Sequence, residues 1–221
     1  MTRADRRAAL QAQRAAALST LLDDLLPLSG DERVLDAGAG TGAFAFAVAP
    51  RARSVIAVEI DEEIATRARE DAPANVEVSV GDAERLAFED AFFDVAATLR
   101  TLHHTPNPER LVAELARVTK PGGAILVADQ PAPEDPLAAF ELNRFERARD
   151  ASTTRLLSDG ELRELFSERG LTLRRVQQIR EPRDLDAYLD LACCEGVERE
   201  RARRLAPRGY EAAVGWYVLA R

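Results

Sequence analysis

One stretch restricts the fold more than any other: RVLDAGAGTGAFAF, from Arg33 to Phe46, with an acid at Glu59 behind it. Val34 and Leu35 close a short apolar run that reads as a buried strand, and Asp36 stands at its tip. Gly38, Gly40 and Gly42 let the backbone turn tightly and approach a ligand, since none carries a Cβ. A helix follows at once, and the unpaired N–H groups of its first turn favour negative charge. Strand, glycine turn and helix in this order point to a parallel α/β sheet with a nucleotide-type cofactor site.

The rest of the chain keeps the same alternation. Residues 4–26 read as a helix that ends before Pro27. Strands are predicted at Arg33–Asp36, Ser54–Ile60, Val76–Val80, Phe93–Leu99 and Ala124–Ala128. Helices are predicted at Gly42–Ala49, Asp61–Glu70 and Pro108–Thr119, and Pro121-Gly122-Gly123 reads as a tight turn into the fifth strand. Beyond it, residues 130–136 carry three prolines and break the pattern. Leu137–Arg149 reads as a helix, Ser158 and Glu161 as a capping box on a helix that ends at Gly170, and Leu171–Ile179 as a strand. Asp184–Arg204 reads as helical with a break near Gly196, and Ala212–Ala220 as a last strand. The expected organisation is a single domain over 1–221. It divides into an N-terminal helix in 1–29, a cofactor-binding core in 30–130, and substrate-side excursions with the last two strands in 131–221. The stretches 130–157 and 181–208 are placed to cover the sheet's C-terminal edge.

Composition narrows the partners. The 221 residues carry a net charge of −8, which argues against a general nucleic-acid-binding surface. No stretch has the length and apolarity of a membrane span. The basic, Ala-rich N-terminus lacks a secretory apolar core and reads as a solvated amphipathic helix rather than a transit peptide. Cys193 and Cys194 are the only cysteines and are adjacent, so they read as reduced thiols of a cytoplasmic protein. They stand apart from any Cys/His cluster, and no metal site is expected. Arg199, Arg201, Arg203 and Arg204 form a basic cluster that reads first as a solvated helix face.

Gly38, Gly40 and Ala43 with Glu59 also meet the dinucleotide fingerprint. Asp36 weighs against that reading, because a carboxylate at the loop's entrance disfavours a pyrophosphate and favours a cation. S-Adenosylmethionine has no phosphate, carries an ammonium and a sulfonium, and presents a ribose diol that Glu59 can accept from. Asp82 is placed to accept from an adenine amino group, and the Ala83 N–H to donate to a ring nitrogen.

VLDAGAGTG, VEID, GDAERLAFEDAFFD, LHHTPNP and KPGG, in this order and spacing, resemble the class I S-adenosylmethionine-dependent methyltransferases. The nearest subgroup is the ubiquinone/menaquinone-biosynthesis-like (methyltransferase type 11) enzymes. The likeness covers about 30–130 and continues into ERARDASTTRLLSDGELRELFSERGL, where Ala151-Ser152-Thr153 replaces the subgroup's Pro-Ser-His. It implies a Rossmann-like, seven-stranded sheet of order 3-2-1-4-5-7-6 with strand 7 antiparallel and helices on both faces. It implies S-adenosyl-L-methionine as cofactor and S-adenosyl-L-homocysteine as product. It also implies roles by position. Asp36, Gly38, Gly40 and Thr41 surround the methionine moiety, Glu59 holds the ribose, Ile60 packs on the adenine, and Asp82 and Ala83 read its edge. Leu99 and Arg100 pass beside the sulfonium, although a surface salt bridge is an equal reading of Arg100.

Methyl transfer needs positioning above all, and a proton-bearing nucleophile also gains from a base. His103 and His104, the only histidines, follow the fourth strand at the edge where α/β sheets bind ligands, and His104 is the first candidate base. Asp129 ends the fifth strand, facing substrate or tying down loop amides. The expected activity is methylation of a small-molecule acceptor. A non-catalytic S-adenosylmethionine-binding module and an NAD(P)-dependent oxidoreductase are the alternatives.

Overall fold

The computed structural model describes residues 3–182, 184–207 and 211–221. The parts of the expected N-terminal helix region and of the 181–208 excursion that fall on 1–2, 183 and 208 lie outside the described residues. Strands β1 (Arg33–Ala37), β2 (Ser54–Glu59), β3 (Val76–Val80), β4 (Phe93–Leu99), β5 (Thr119–Asp129), β6 (Thr172–Pro182) and β7 (Glu211–Ala220) form one sheet. Its order is β3-β2-β1-β4-β5-β7-β6, with β7 antiparallel to both neighbours, as the family resemblance implies. The winding reverses between β1 and β4, and the crevice outside their C-terminal ends is where such sheets take ligands.

The pleat separates two cores. Val34 of β1 and Leu126 of β5 pack toward α1 (Arg3–Leu25), α2 (Ala43–Val48) and α3 (Glu62–Asp71), meeting Leu22, Phe44 and Ala65. Their neighbours Leu35 and Ile125 point to the other face, toward α4 (Pro108–Val118) and α6 (Asp159–Glu168), meeting Leu115, Leu162 and Phe166. A third cluster stands apart from both. Leu142 and Phe145 of α5 (Pro136–Arg149) gather with Leu189 of α7 (Leu185–Leu191) and Ala202 of α8 (Gly196–Leu205). These three helices form a cap. Helix α1 links the two halves: Asp5 lies 3.8 Å from Arg67 of α3, while Arg6 donates to the Asp190 carbonyl of α7 at 2.9 Å.

Local signals act as their chemistry dictates. The Asp61 carboxylate accepts from the Glu63 and Ile64 N–H groups at the start of α3, and both arms of the Ser158–Glu161 capping box are made. Two expectations change. Helix α2 starts after Gly42 rather than at it, because Gly42 sits at φ 89°, outside helical space. The expected turn at 121–123 is a bulge within β5: Thr119 already pairs with Phe93, and Ala124 pairs with Val95 after the register shifts. Gly123 fits there because a Cβ would come within 2.7 Å of the Asp94 carbonyl oxygen.

Candidate functional site

The glycine loop hangs from β2. The Gly38 and Ala39 N–H groups both donate to the Val58 carbonyl, at 2.8 and 2.9 Å. From the other side, Thr98 Oγ1 donates to the Ala37 carbonyl at 2.8 Å and Thr101 Oγ1 to the Gly38 carbonyl at 3.0 Å. Thr101 leaves no room for a side chain at Gly38, where a Cβ would lie 2.2 Å from its methyl carbon. Gly40 differs: a Cβ there would meet nothing within 4 Å, so the loop borders open space at that point.

Two carboxylates frame this loop. Glu59, nearly buried at the tip of β2, accepts from the Gly40 N–H on Oε2 at 2.8 Å and from the Asp61 N–H on Oε1 at 3.0 Å. Each oxygen keeps a second lone pair for a ligand hydroxyl. Asp36 is 1% exposed and accepts from the Ala45 N–H at 3.1 Å. Burial pushes its pKa up from 3.8 to about 7; the Ala45 N–H opposes the rise and the charge of Glu59 adds to it.

The remaining sequence-predicted residues surround this frame. Thr41 is buried in the loop, and Ile60 stands 68% exposed just past Glu59, an apolar surface with nothing packed over most of it. The Gly81 N–H donates to the Glu59 carbonyl at 3.0 Å, which brings the Asp82–Ala83 turn alongside. Asp82 is exposed and accepts from the Glu84 N–H at 2.8 Å, while Ala83 is buried. Leu99 is half-buried at the end of β4. Arg100 follows it at φ 55°, a conformation that costs a non-glycine residue about 1 kcal/mol or more, with its N–H held by the Ala128 carbonyl at 2.6 Å. Thr98 and Thr101 were not among the predicted residues. The signal was two hydroxyls flanking the end of β4, which gains meaning only once β4 is known to lie beside β1.

The histidines lie on the next turn, between Leu102 and Thr105. His103 Nδ1 is 2.6 Å from Asp129 Oδ1, and the His103 N–H donates to Oδ2 at 3.1 Å. Burial works to raise the Asp129 pKa, but His103 and the N–H groups of Gln130 and His103 outweigh it and hold the carboxyl below its usual range. An ionised Asp129 only accepts, so the proton of a neutral His103 sits on Nδ1 and its lone pair on Nε2. His104 Nδ1 lies 3.0 Å from Ser152 Oγ, and the two imidazole rings are 4.1 Å apart. His103 thus has a direct carboxylate partner.

Other features fall outside this site. Cys194 is buried and Cys193 half-buried, both as free thiols, and among the described residues no group of three or more His, Cys, Asp or Glu is arranged to hold a metal ion. Arg199 bonds Asp186 and Asp190, and Arg203 bonds Asp186, so these cap arginines join α8 to α7. An open groove of about 520 Å³ runs between α4 and α6, lined by Glu109, Glu161, Glu164 and Glu168. It includes neither the glycine loop nor a histidine. No described helix is long and apolar enough to cross a membrane.

The sequence model of a family described as "Methyltransferase domain" matches residues 35–127. The crystal structure of YcgJ from Bacillus subtilis superposes with a TM-score of 0.84, covering 91% of this chain and 96% of that one at 26% identity. In sequence, the uncharacterized methyltransferase YcgJ is 34% identical over 163 residues, 72% of this chain. These matches support a class I S-adenosylmethionine-dependent methyltransferase of this type. S-Adenosylmethionine is accordingly its cofactor. Two further members are similar over shorter stretches. The ubiquinone/menaquinone biosynthesis C-methyltransferase UbiE of Burkholderia cenocepacia is 34% identical over 35% of this chain and 36% of its own length. The 27-O-demethylrifamycin SV methyltransferase of Amycolatopsis mediterranei is 30% identical over 51% of this chain and 43% of its own. The aligned part of this chain spans 64% of the curated YcgJ sequence.

Proposed function

We propose that the protein methylates a small-molecule acceptor, with S-adenosylmethionine as the donor. The observation that carries this reading is the pair of carboxylates at the glycine loop, Asp36 buried behind it and Glu59 fixed by the Gly40 N–H. Acceptor groups at a loop that borders open space suit hydroxyls and cations and do not suit a pyrophosphate. Glu59 would take the ribose hydroxyls, with Ile60 against the adenine and Asp82 and Ala83 at its edge. Asp36, Gly38, Gly40 and Thr41 would surround the methionine portion, with Leu99 and Arg100 beside the sulfonium. When bound, the cofactor supplies an electrophilic methyl group on a cationic sulfur. The relatives named for 27-O-demethylrifamycin SV and for ubiquinone/menaquinone biosynthesis support a small molecule as acceptor.

The chain's own contribution is placement and proton handling. Helices α5, α7 and α8 would exclude water from the crevice. Holding a nucleophile in line at about 3–3.5 Å supplies several kcal/mol of the barrier. His103, oriented by Asp129, accepts at Nε2 the proton that a hydroxyl nucleophile gives up.

Calorimetry tests the donor site. S-Adenosylmethionine and S-adenosylhomocysteine are expected to bind and NAD to give no heat; the reverse would overturn the reading. Glu59→Ala should weaken the adenosyl ligands at least tenfold, about 1.4 kcal/mol, since it removes a charged acceptor. A panel of phenolic, enolic and amine acceptors, scored by S-adenosylhomocysteine release, tests the transfer. Tight adenosyl binding without release across a broad panel would favour a binding module.

A further inference from the structure

The segment that follows α5 is fastened to the histidine turn. The Thr154 N–H donates to the His103 carbonyl at 2.8 Å, and Thr154 Oγ1 lies 3.0 Å from that carbonyl and 2.8 Å from the Thr105 carbonyl. Within the segment, Asp150 is 3% exposed. Its Oδ1 accepts from the Ser152 N–H at 3.0 Å and from Ser152 Oγ at 2.6 Å. The Ser152 oxygen is in turn 3.0 Å from His104 Nδ1.

A hydroxyl has one proton. The short contact to a carboxylate oxygen assigns that proton to Asp150, so toward His104 the Ser152 oxygen can only accept. The Nδ1 of His104 must then be the donor, and the lone pair of the neutral ring lies on Nε2. Free neutral histidine prefers the opposite tautomer. His103 reaches the same state through Asp129. The chain's two histidines, with rings 4.1 Å apart, are thereby both set with Nδ1 protonated, one by a carboxylate directly and one through a hydroxyl.

We infer that Ser152 and Asp150 are positioning residues of the transfer site, holding His104 in the Nδ1–H tautomer that Asp129 imposes on His103. This rests on the methyltransferase reading above and deepens it. Ser152 and Asp150 come from the cap, whereas His104 comes from the cofactor half. The His104 tautomer is therefore set only when the two are docked.

The test needs no acceptor. With only two histidines in the chain, ¹⁵N spectra of imidazole-labelled full-length protein above pH 8 contain two rings to assign. Both rings are expected as Nδ1–H. Ser152→Ala is expected to move His104 toward Nε2–H and leave His103 unchanged, and Ser152→Thr is expected to restore the wild-type pattern. A wild-type His104 in the Nε2–H form overturns the inference, as does a Ser152→Ala spectrum identical to wild type. If the alanine variant does not fold, the wild-type tautomer alone decides. Cofactor binding measured by calorimetry on the same sample is a separate readout: its failure would strike the methyltransferase reading and leave the tautomer result intact.

Discussion

Asp36 is a carboxyl whose ordinary ionisation is suppressed by the fold. Its native pKa of about 7 lies above the unfolded value of 3.8, so the native state holds an extra proton between those limits. Stability from this group is present below pH 4, falls as pH rises through that window, and is lost above pH 7. Asp36→Asn is therefore expected to stabilise the ligand-free protein at pH 8, by up to about 4 kcal/mol, with the difference vanishing near pH 4. Denaturant titrations at the two pH values check this. The cationic donor favours the ionised carboxylate, so its affinity is expected to rise between pH 6 and pH 8. Calorimetry in buffers of different ionisation enthalpy should show proton release on binding. Thr153 offers a contrast, since its hydroxyl is buried and has no partner among the described residues. Thr153→Val is expected to stabilise the protein by about 1 kcal/mol, the cost of an unsatisfied buried hydroxyl. A loss of stability in thermal unfolding would show that the hydroxyl is satisfied in solution.

Within the glycine turn between β1 and α2, two neighbouring glycines serve different ends. At Gly38 a Cβ would strike Thr101 at 2.2 Å and the backbone sits at φ 78°, so Gly38→Ala is expected to cost stability, about 2 kcal/mol or more. At Gly40 the space is open and only φ 57° opposes a side chain, at about 1 kcal/mol. Gly40→Ala is thus expected to lower the adenosyl affinity far more than the melting temperature, and calorimetry beside thermal unfolding separates the two. Elements like this turn were legible in the sequence because their cause is local: glycines after a strand tip, Ser158 and Glu161 closing a box. The sheet order was legible through the family's motif series rather than from periodicity. The bulge at 120–123 was not, because it depends on which β4 residue Thr119 meets. Asp129 was visible as a strand-end acid, but its pairing with His103 depends on β5 lying beside β4. The Ser152 contact lay further out of reach, since it requires the cap to be docked.

For the molecule as a whole, α1 touches both the cofactor half and the cap. Its ion pairs, Asp5 with Arg67 at 3.8 Å and Arg6 with Glu195 at 3.6 Å, involve partly exposed side chains and are screened by salt. Raising the salt from about 0.05 to 0.5 M should therefore speed dissociation of S-adenosylhomocysteine, measured by stopped-flow, more than it changes the unfolding midpoint. Equal rates at both salts would show that these pairs do not restrain the cap. The order of the sheet has a consequence of an evolutionary kind. The family match ends at residue 127, where β5 reaches the crevice, while Ser152, Asp150 and the α5, α7 and α8 helices all come later in the chain. On the proposed assignment of donor and acceptor sites, mutations that reshape the acceptor pocket can accumulate downstream of β5 without touching the donor loop. Lineages carrying this fold can change what they methylate while inheriting unchanged the means of holding the methyl group.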